Sequence, residues 1–152
     1  MKKITSESIK ITSDLAKESP RKRANYNFHS SGEDPINRMI NAVEPEAYFP
    51  PHKHEMVKKR EIFIILEGKV TVVEFDDEGD IKDHIVLDAE KGNFGVEIPP
   101  DTWHTLIPLE SSVLYEIKDG PYDPSSDKTF AEWAPRESEE GGLEFAKEVL
   151  NK

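Results

Sequence analysis

The segment His52-Lys53-His54 sets two imidazoles two residues apart. On an extended strand that spacing turns both rings to one face and Lys53 to the other. Pro50-Pro51, just ahead, favours an extended backbone. A third imidazole, His104, follows Pro99-Pro100-Asp101-Thr102-Trp103 at the start of a later β-rich run. Two carboxylates compete to join them, Glu55 directly after His54 and Glu61 at the head of Glu61–Leu66 (EIFIIL). Glu55 falls on the opposite face from both imidazoles if the strand continues. Glu61 shares a face with Phe63 and Ile65, where a carboxylate inside a barrel is costly unless paired or metal-bound. Parity therefore favours Glu61, with Glu55 or a simple ion pair at Glu61 as the other outcomes. Three imidazoles and a carboxylate form a borderline N/O donor set for one divalent transition metal (Fe, Mn, Ni, Co or Zn), with open positions for water or substrate.

These residues need rigid strands, and the middle of the chain supplies them. Of 11 prolines none lies between His52 and Ile98, so this window can sustain hydrogen-bonded ladders. Within and beyond it, Glu61–Leu66, Val70–Phe75, Ile81–Leu87, Val96–Ile98, Trp103–Ile107 and Val113–Ile117 read as short strands. Gly68 marks a hairpin and Asp76–Asp80 (DDEGD) a hairpin tip; the latter lacks the downstream glutamate of a calcium loop. Such a series predicts an all-β sandwich or barrel. A short helix is expected over residues 6–19, capped by Thr5 or Ser6, ended by Pro20, with Ile4, Ile9, Ile11 and Leu15 as its apolar stripe. Gly141-Gly142 precedes a final amphipathic helix. The expected organisation is one domain over 1–152: a helical, basic arm (1–25), a β-barrel (36–118), and a C-terminal wrap and helix (119–152). His84 reads as a surface imidazole, His29 as structural or capping, and Trp133 as the anchor of the wrap.

The chain carries 20 basic and 31 acidic residues, a net charge of −11. That balance opposes duplex DNA and anionic membrane surfaces, so neither nucleic acid nor membrane is an expected partner. With no cysteine, thiolate nucleophiles and Cys-ligated metals are excluded. The N-terminal residues include no apolar run of the signal-peptide kind, and a cytoplasmic location is expected. Residues 1–25 nevertheless carry seven basic and three acidic side chains, clustered at Arg21-Lys22-Arg23. The cluster is either a solvated arm or a clamp for an anionic group, which the guanidinium suits.

The order H-x-H…E-x6-G followed by P-x-D-x-x-H resembles the two signature motifs of the cupins, small jelly-roll barrels with a metal between their sheets. The resemblance places His52, His54 and Glu61 on the ligands of the first motif and His104 on that of the second. This chain departs from the pattern in having six residues between His54 and Glu61, Asp101 in place of the usual turn glycine, and Pro108 where many members have asparagine. Further matches outside the motifs run in order: Ser19-Pro20-Arg21, Asn25, His29, Arg38–Ala42, Pro50–His54, Phe75–Asp77, Trp103–Thr105, Glu116–Tyr122, Asp127-Lys128, Phe130-Ala131, Trp133–Pro135 and Glu137. Over roughly residues 19–138 they resemble the WbuC-type cupin-fold metalloproteins. That resemblance implies a bacterial cytoplasmic protein, in some members encoded near surface-polysaccharide genes, and a homodimer.

The function so implied is a metal-binding cupin acting on or binding a small polar, anionic ligand, such as a sugar or sugar nucleotide of surface-polysaccharide metabolism. Tyr48, Trp103 and Tyr115 are candidate pocket walls; Arg38, or Arg21 and Arg23 from the arm, are candidate anion ligands. The alternative is a non-catalytic metal-dependent binding or sensing module. No general base outside the ligand set can be picked out, so catalysis itself is left open.

Overall fold

In the computed structural model, which describes residues 1–152, ten strands and two helices follow one another along the chain. Helix α1 (Ser6–Glu18) begins at Thr5, whose hydroxyl accepts from the Ser8 amide at 3.2 Å while the Ser8 hydroxyl accepts from the Thr5 amide at 3.0 Å. This reciprocal cap satisfies two otherwise unpaired donors. The strands are β1 (Arg23–Asn27), β2 (Ile36–Val43), β3 (His52–Lys53), β4 (Glu61–Glu67), β5 (Lys69–Phe75), β6 (Ile81–Asp88), β7 (Gly95–Ile98), β8 (Trp103–Pro108), β9 (Ser112–Asp119) and β10 (Thr129–Phe130). Helix α2 (Gly142–Leu150) ends the fold.

Two five-stranded sheets, β1-β2-β9-β4-β7 and β10-β3-β8-β5-β6, face each other as a jelly roll with every pairing antiparallel. The mainly-β architecture with terminal helices is the expected one. Strands extend past the expected barrel limits of 36 and 118 on both sides, because β1 and β10 add edges to the two sheets. The apolar interior joins Val43, Phe63, Ile65, Val70, Val72, Leu87, Ile98, Leu106 and Leu114.

Each helix covers the outer face of one sheet. Ala16 of α1 packs with Phe28, Ile40, Ala42 and Val113, and Val149 of α2 with Val73, Phe75 and Ile107. The inward stripe of α1 differs from the expected one: Thr12 and Ala16 are fully buried, whereas Ile4, Ile11 and Leu15 are exposed. Small residues let the helix lie close to the sheet, and the Thr12 hydroxyl is satisfied by the Ser8 carbonyl at 2.7 Å.

Several inward-facing strand rows change character along their length. Ile65, Phe63 and Glu61 in β4 pair respectively with Leu114, Glu116 and Lys118 in β9. In β8, Leu106 gives way to His104. One end of the barrel is therefore an apolar core and the other a buried polar chamber.

Candidate metal centre

His52 of β3 and His104 of β8 are directly opposite in the ladder, so their rings share the inner face, with centroids 4.4 Å apart. His54 follows β3 by one residue, with its ring 5.4 Å from His52 and 5.9 Å from His104. Glu61 reaches across from the other sheet. One donor atom from each of these four residues lies within 4.8 Å of all the others, and all four side chains are buried. The turn before β8 needs a left-handed residue, and Asp101 supplies it at φ 61° where the resemblance has glycine.

The six-residue loop ahead of Glu61 is tied down where it enters β4. Lys59, almost fully buried, donates to Asp127 at 2.7 Å and to the Pro121 carbonyl at 2.5 Å. Arg60 holds Asp119 through two hydrogen bonds of 2.9 and 3.2 Å. Glu55 instead turns to Lys53 at 2.8 Å and stays outside the cluster.

The imidazoles are oriented by backbone oxygen. Nδ1 of His52 lies 3.0 Å from the Pro50 carbonyl, Nδ1 of His104 lies 2.8 Å from the Thr102 carbonyl, and Nδ1 of His54 meets the Asp127 carbonyl. A carbonyl only accepts, so each Nδ1 donates to it and each Nε2 is the ring nitrogen turned inward. Nε2 of His52 has no partner. Nε2 of His54 and of His104 lie 3.4 and 3.0 Å from the Glu61 carboxylate, within hydrogen-bond distance. Burial, followed by the nearby Lys128 charge, holds His52 well below the usual imidazole range. Burial alone would raise Glu61; the facing imidazoles and Lys118 outweigh it and hold the carboxyl well below its ordinary value. Three inward imidazole nitrogens and a carboxylate around a common centre fit a divalent cation, and the outer hydrogen bonds fix the ring orientations as metal sites require.

Around this cluster lies a set of charges that the sequence reading did not single out. Lys118 pairs with Asp127 at 2.8 Å and approaches Glu61 at 3.9 Å. Glu116 accepts from the Asn41 amide, and burial with the Glu61 charge pushes its carboxyl up to about 8. Strand β9 offered a misleading signal: its all-apolar row Val113, Tyr115, Ile117 looks like the core face, yet Leu114, Glu116 and Lys118 are the ones pointing inward.

Of the other candidate ligand residues, Arg21 and Arg23 reach the chamber's mouth, where both hold Glu137 at 2.7 Å. Arg23 also stacks over Phe49 at 4.1 Å, and burial lowers its guanidinium to about 10. The remaining four are carried away by strand parity or loop position. Arg38 pairs with Asp34 at 2.7 Å, and Tyr115 packs edge-on against Phe28 beneath α1. Trp103 sits outside the barrel, donating to Asp77 at 2.9 Å under the Lys53 ammonium. Tyr48 donates to the Pro135 carbonyl at 2.8 Å and packs on Phe145 of α2. His29 is held against the Arg38 backbone at 3.1 Å, and His84 lies exposed on β6.

Comparison with solved structures finds the same fold in other proteins. The capsular polysaccharide assembling protein CapF from Staphylococcus aureus matches with a TM-score of 0.59 and 22% identity over 75% of this chain and 33% of that one. An L-ribose isomerase from Cellulomonas parahominis, solved with L-psicose, matches with a TM-score of 0.59 and 12% identity over 73% of this chain and 70% of that one. An oxalate decarboxylase from Lactobacillus farciminis, in a formate complex, matches with a TM-score of 0.53 and 16% identity over 71% of this chain and 31% of that one. The chain thus spans about a third of the CapF and decarboxylase chains, and at these identities the likeness is one of fold. A family model described as "Domain of unknown function (DUF6016)" matches residues 4–87, and the chain belongs to that family. No curated protein matches it. No helix is long and apolar enough to cross a membrane.

Proposed function

We propose that this protein is a metal-dependent cupin of the WbuC type. It would hold one divalent transition metal on His52, His54, Glu61 and His104 and bind a small, polar, anionic ligand beside it. The observation that carries this reading is the unpartnered, buried His52 Nε2, set within 4.8 Å of donor atoms from His54, His104 and Glu61, all buried. A bound ion would act as a Lewis acid towards an oxygen of the ligand. The chain's own groups would orient that ligand: Arg23 at the mouth, and Lys118 and Lys128 above the cluster.

A sugar or sugar nucleotide of surface-polysaccharide metabolism is the ligand this reading favours. The capsular-polysaccharide description of the CapF neighbour supports it, as does the family resemblance, which also implies a bacterial cytoplasmic homodimer. Metal-loaded protein mixed with candidate sugars and sugar nucleotides tests this reading. Turnover identifies an enzyme; saturable, metal-dependent binding without turnover identifies a binding or sensing module. Binding that is equally tight with and without metal contradicts both.

A further inference from the structure

Resting on the reading of the chamber as an anion-binding metal centre, the geometry points to one ligand class: a single sugar-sized polyol bearing one carboxylate or phosphate. It would lie on the inner face of β1 and β2, its anionic group on Arg23 and Lys128.

Four asparagines line that face, Asn25 and Asn27 from β1 and Asn37 and Asn41 from β2, around a cavity of about 350 Å³ that Arg23 and Lys128 also border. Antiparallel register sets Asn25 opposite Asn41, so the amides form a patch on the cavity side. A primary amide both donates and accepts, as a sugar hydroxyl does, so a cluster of amides matches vicinal hydroxyls better than it matches an apolar or purely anionic molecule. Two of these amides spend only one end on the protein. Asn25 donates to Asn27 at 2.6 Å, and Asn41 donates to Glu116, while neither amide oxygen accepts a hydrogen bond from the protein. The Asn37 amide nitrogen is buried, with the residue 2% exposed, and has no partner. Leaving such a donor unmade costs about 1–3 kcal/mol in the free protein, and a ligand hydroxyl would relieve that cost.

The charge at the mouth selects an anion. Glu137 is shared by two arginines, and Asp127 is held by Lys59 and Lys118. Lys128 borders the cavity and pairs with no carboxylate. A smaller cavity of about 30 Å³ shares Asn41 and Lys128 with the asparagine face and is also lined by His52 and Glu61 of the metal cluster. A nucleotide-linked sugar fits less well. Phe49 and Tyr122 at the mouth already carry cations over their rings, Arg23 at 4.1 Å and Lys118 at 5.6 Å, and so offer no open platform for a base.

The test is calorimetric titration of the metal-loaded full chain. The probes are D-glucuronate, D-galacturonate, D-gluconate and D-glucose 6-phosphate, compared with D-glucose, acetate, inorganic phosphate and UDP-glucose. At least one sugar acid or sugar phosphate should bind about tenfold or more tighter than both glucose and the matching bare anion; the carboxylate and phosphate arms tell the two anionic groups apart. Lys128→Gln should cut that preference about tenfold. Asn37→Leu should keep metal content and Tm while losing about tenfold in sugar affinity; Asn27→Ala, at the exposed rim, gives the same readout should Asn37→Leu fail to fold. Bare acetate or phosphate binding as tightly as every sugar derivative overturns this inference and leaves the anion-binding metal centre standing. UDP-glucose binding tenfold tighter than any single sugar overturns it likewise, and no binding of any anion overturns both.

Discussion

At the mouth of the barrel, Asp127 accepts from Lys59 at 2.7 Å and from Lys118 at 2.8 Å, while its backbone carbonyl orients His54. One residue of the C-terminal wrap therefore neutralises two buried ammonium groups and steadies a proposed metal ligand. Removing one member of such a buried set strands the others, at a cost of about 3–5 kcal/mol. Asp127→Ala should lower the unfolding free energy by that amount in chemical denaturation; a loss below about 1 kcal/mol, the scale of a surface pair, would contradict the role. Glu61 and Glu55 allow a sharper comparison. Glu61→Gln should weaken metal affinity about 10–100-fold, and Glu55→Gln, whose side chain pairs with Lys53 outside the cluster, should leave it unchanged. Titration with a competing chelator reads both; the reverse pattern would move the carboxylate ligand to Glu55.

Among the elements, the hairpin β5–β6 and the C-terminal wrap lock together at one glycine. Gly79 at the tip has φ +90°, and a Cβ there would fall 2.8 Å from the Trp133 ring. Trp133 in turn stacks with Phe75 and Phe145, joining the hairpin to α2. Gly79→Ala should cost about 1–2 kcal/mol through its backbone alone, with the overlap adding to it. In a double-mutant cycle with Trp133→Ala, the two losses should be less than additive; strict additivity would mean that the ring and the glycine do not meet. This anchor was readable in the sequence, as were the central strands, because alternation and turn residues in 61–117 agree with one another. β1, β2, β3 and β10 were not. RANYN has no apolar face of its own, and two-residue strands such as His52-Lys53 and Thr129-Phe130 leave no period to detect. The clustering of His52, His54 and His104 was legible because HxH parity survives any register. Tyr115 and Trp103 were misplaced because each lies one position away from an inward residue, Glu116 or His104, and an apolar side chain gives no hint that a helix or wrap will cover the outer face instead.

For the whole molecule, the salient fact is where four of its cations lie. A chain of net charge −11 gathers Arg23, Lys59, Lys118 and Lys128 around one end of its barrel. Within an acidic exterior the chamber presents cations, as the proposed binding of a small anion requires. That arrangement has a purpose if a metal sits beneath it, and the account turns on this point. The direct measurement is metal content by inductively coupled plasma mass spectrometry, after reconstitution and exhaustive dialysis. Wild-type protein should retain about one transition-metal ion per chain, and the folded triple variant His52→Ala, His54→Ala, His104→Ala should retain almost none. Full occupancy in the triple variant, or a wild-type protein that holds no metal after reconstitution, would contradict the account.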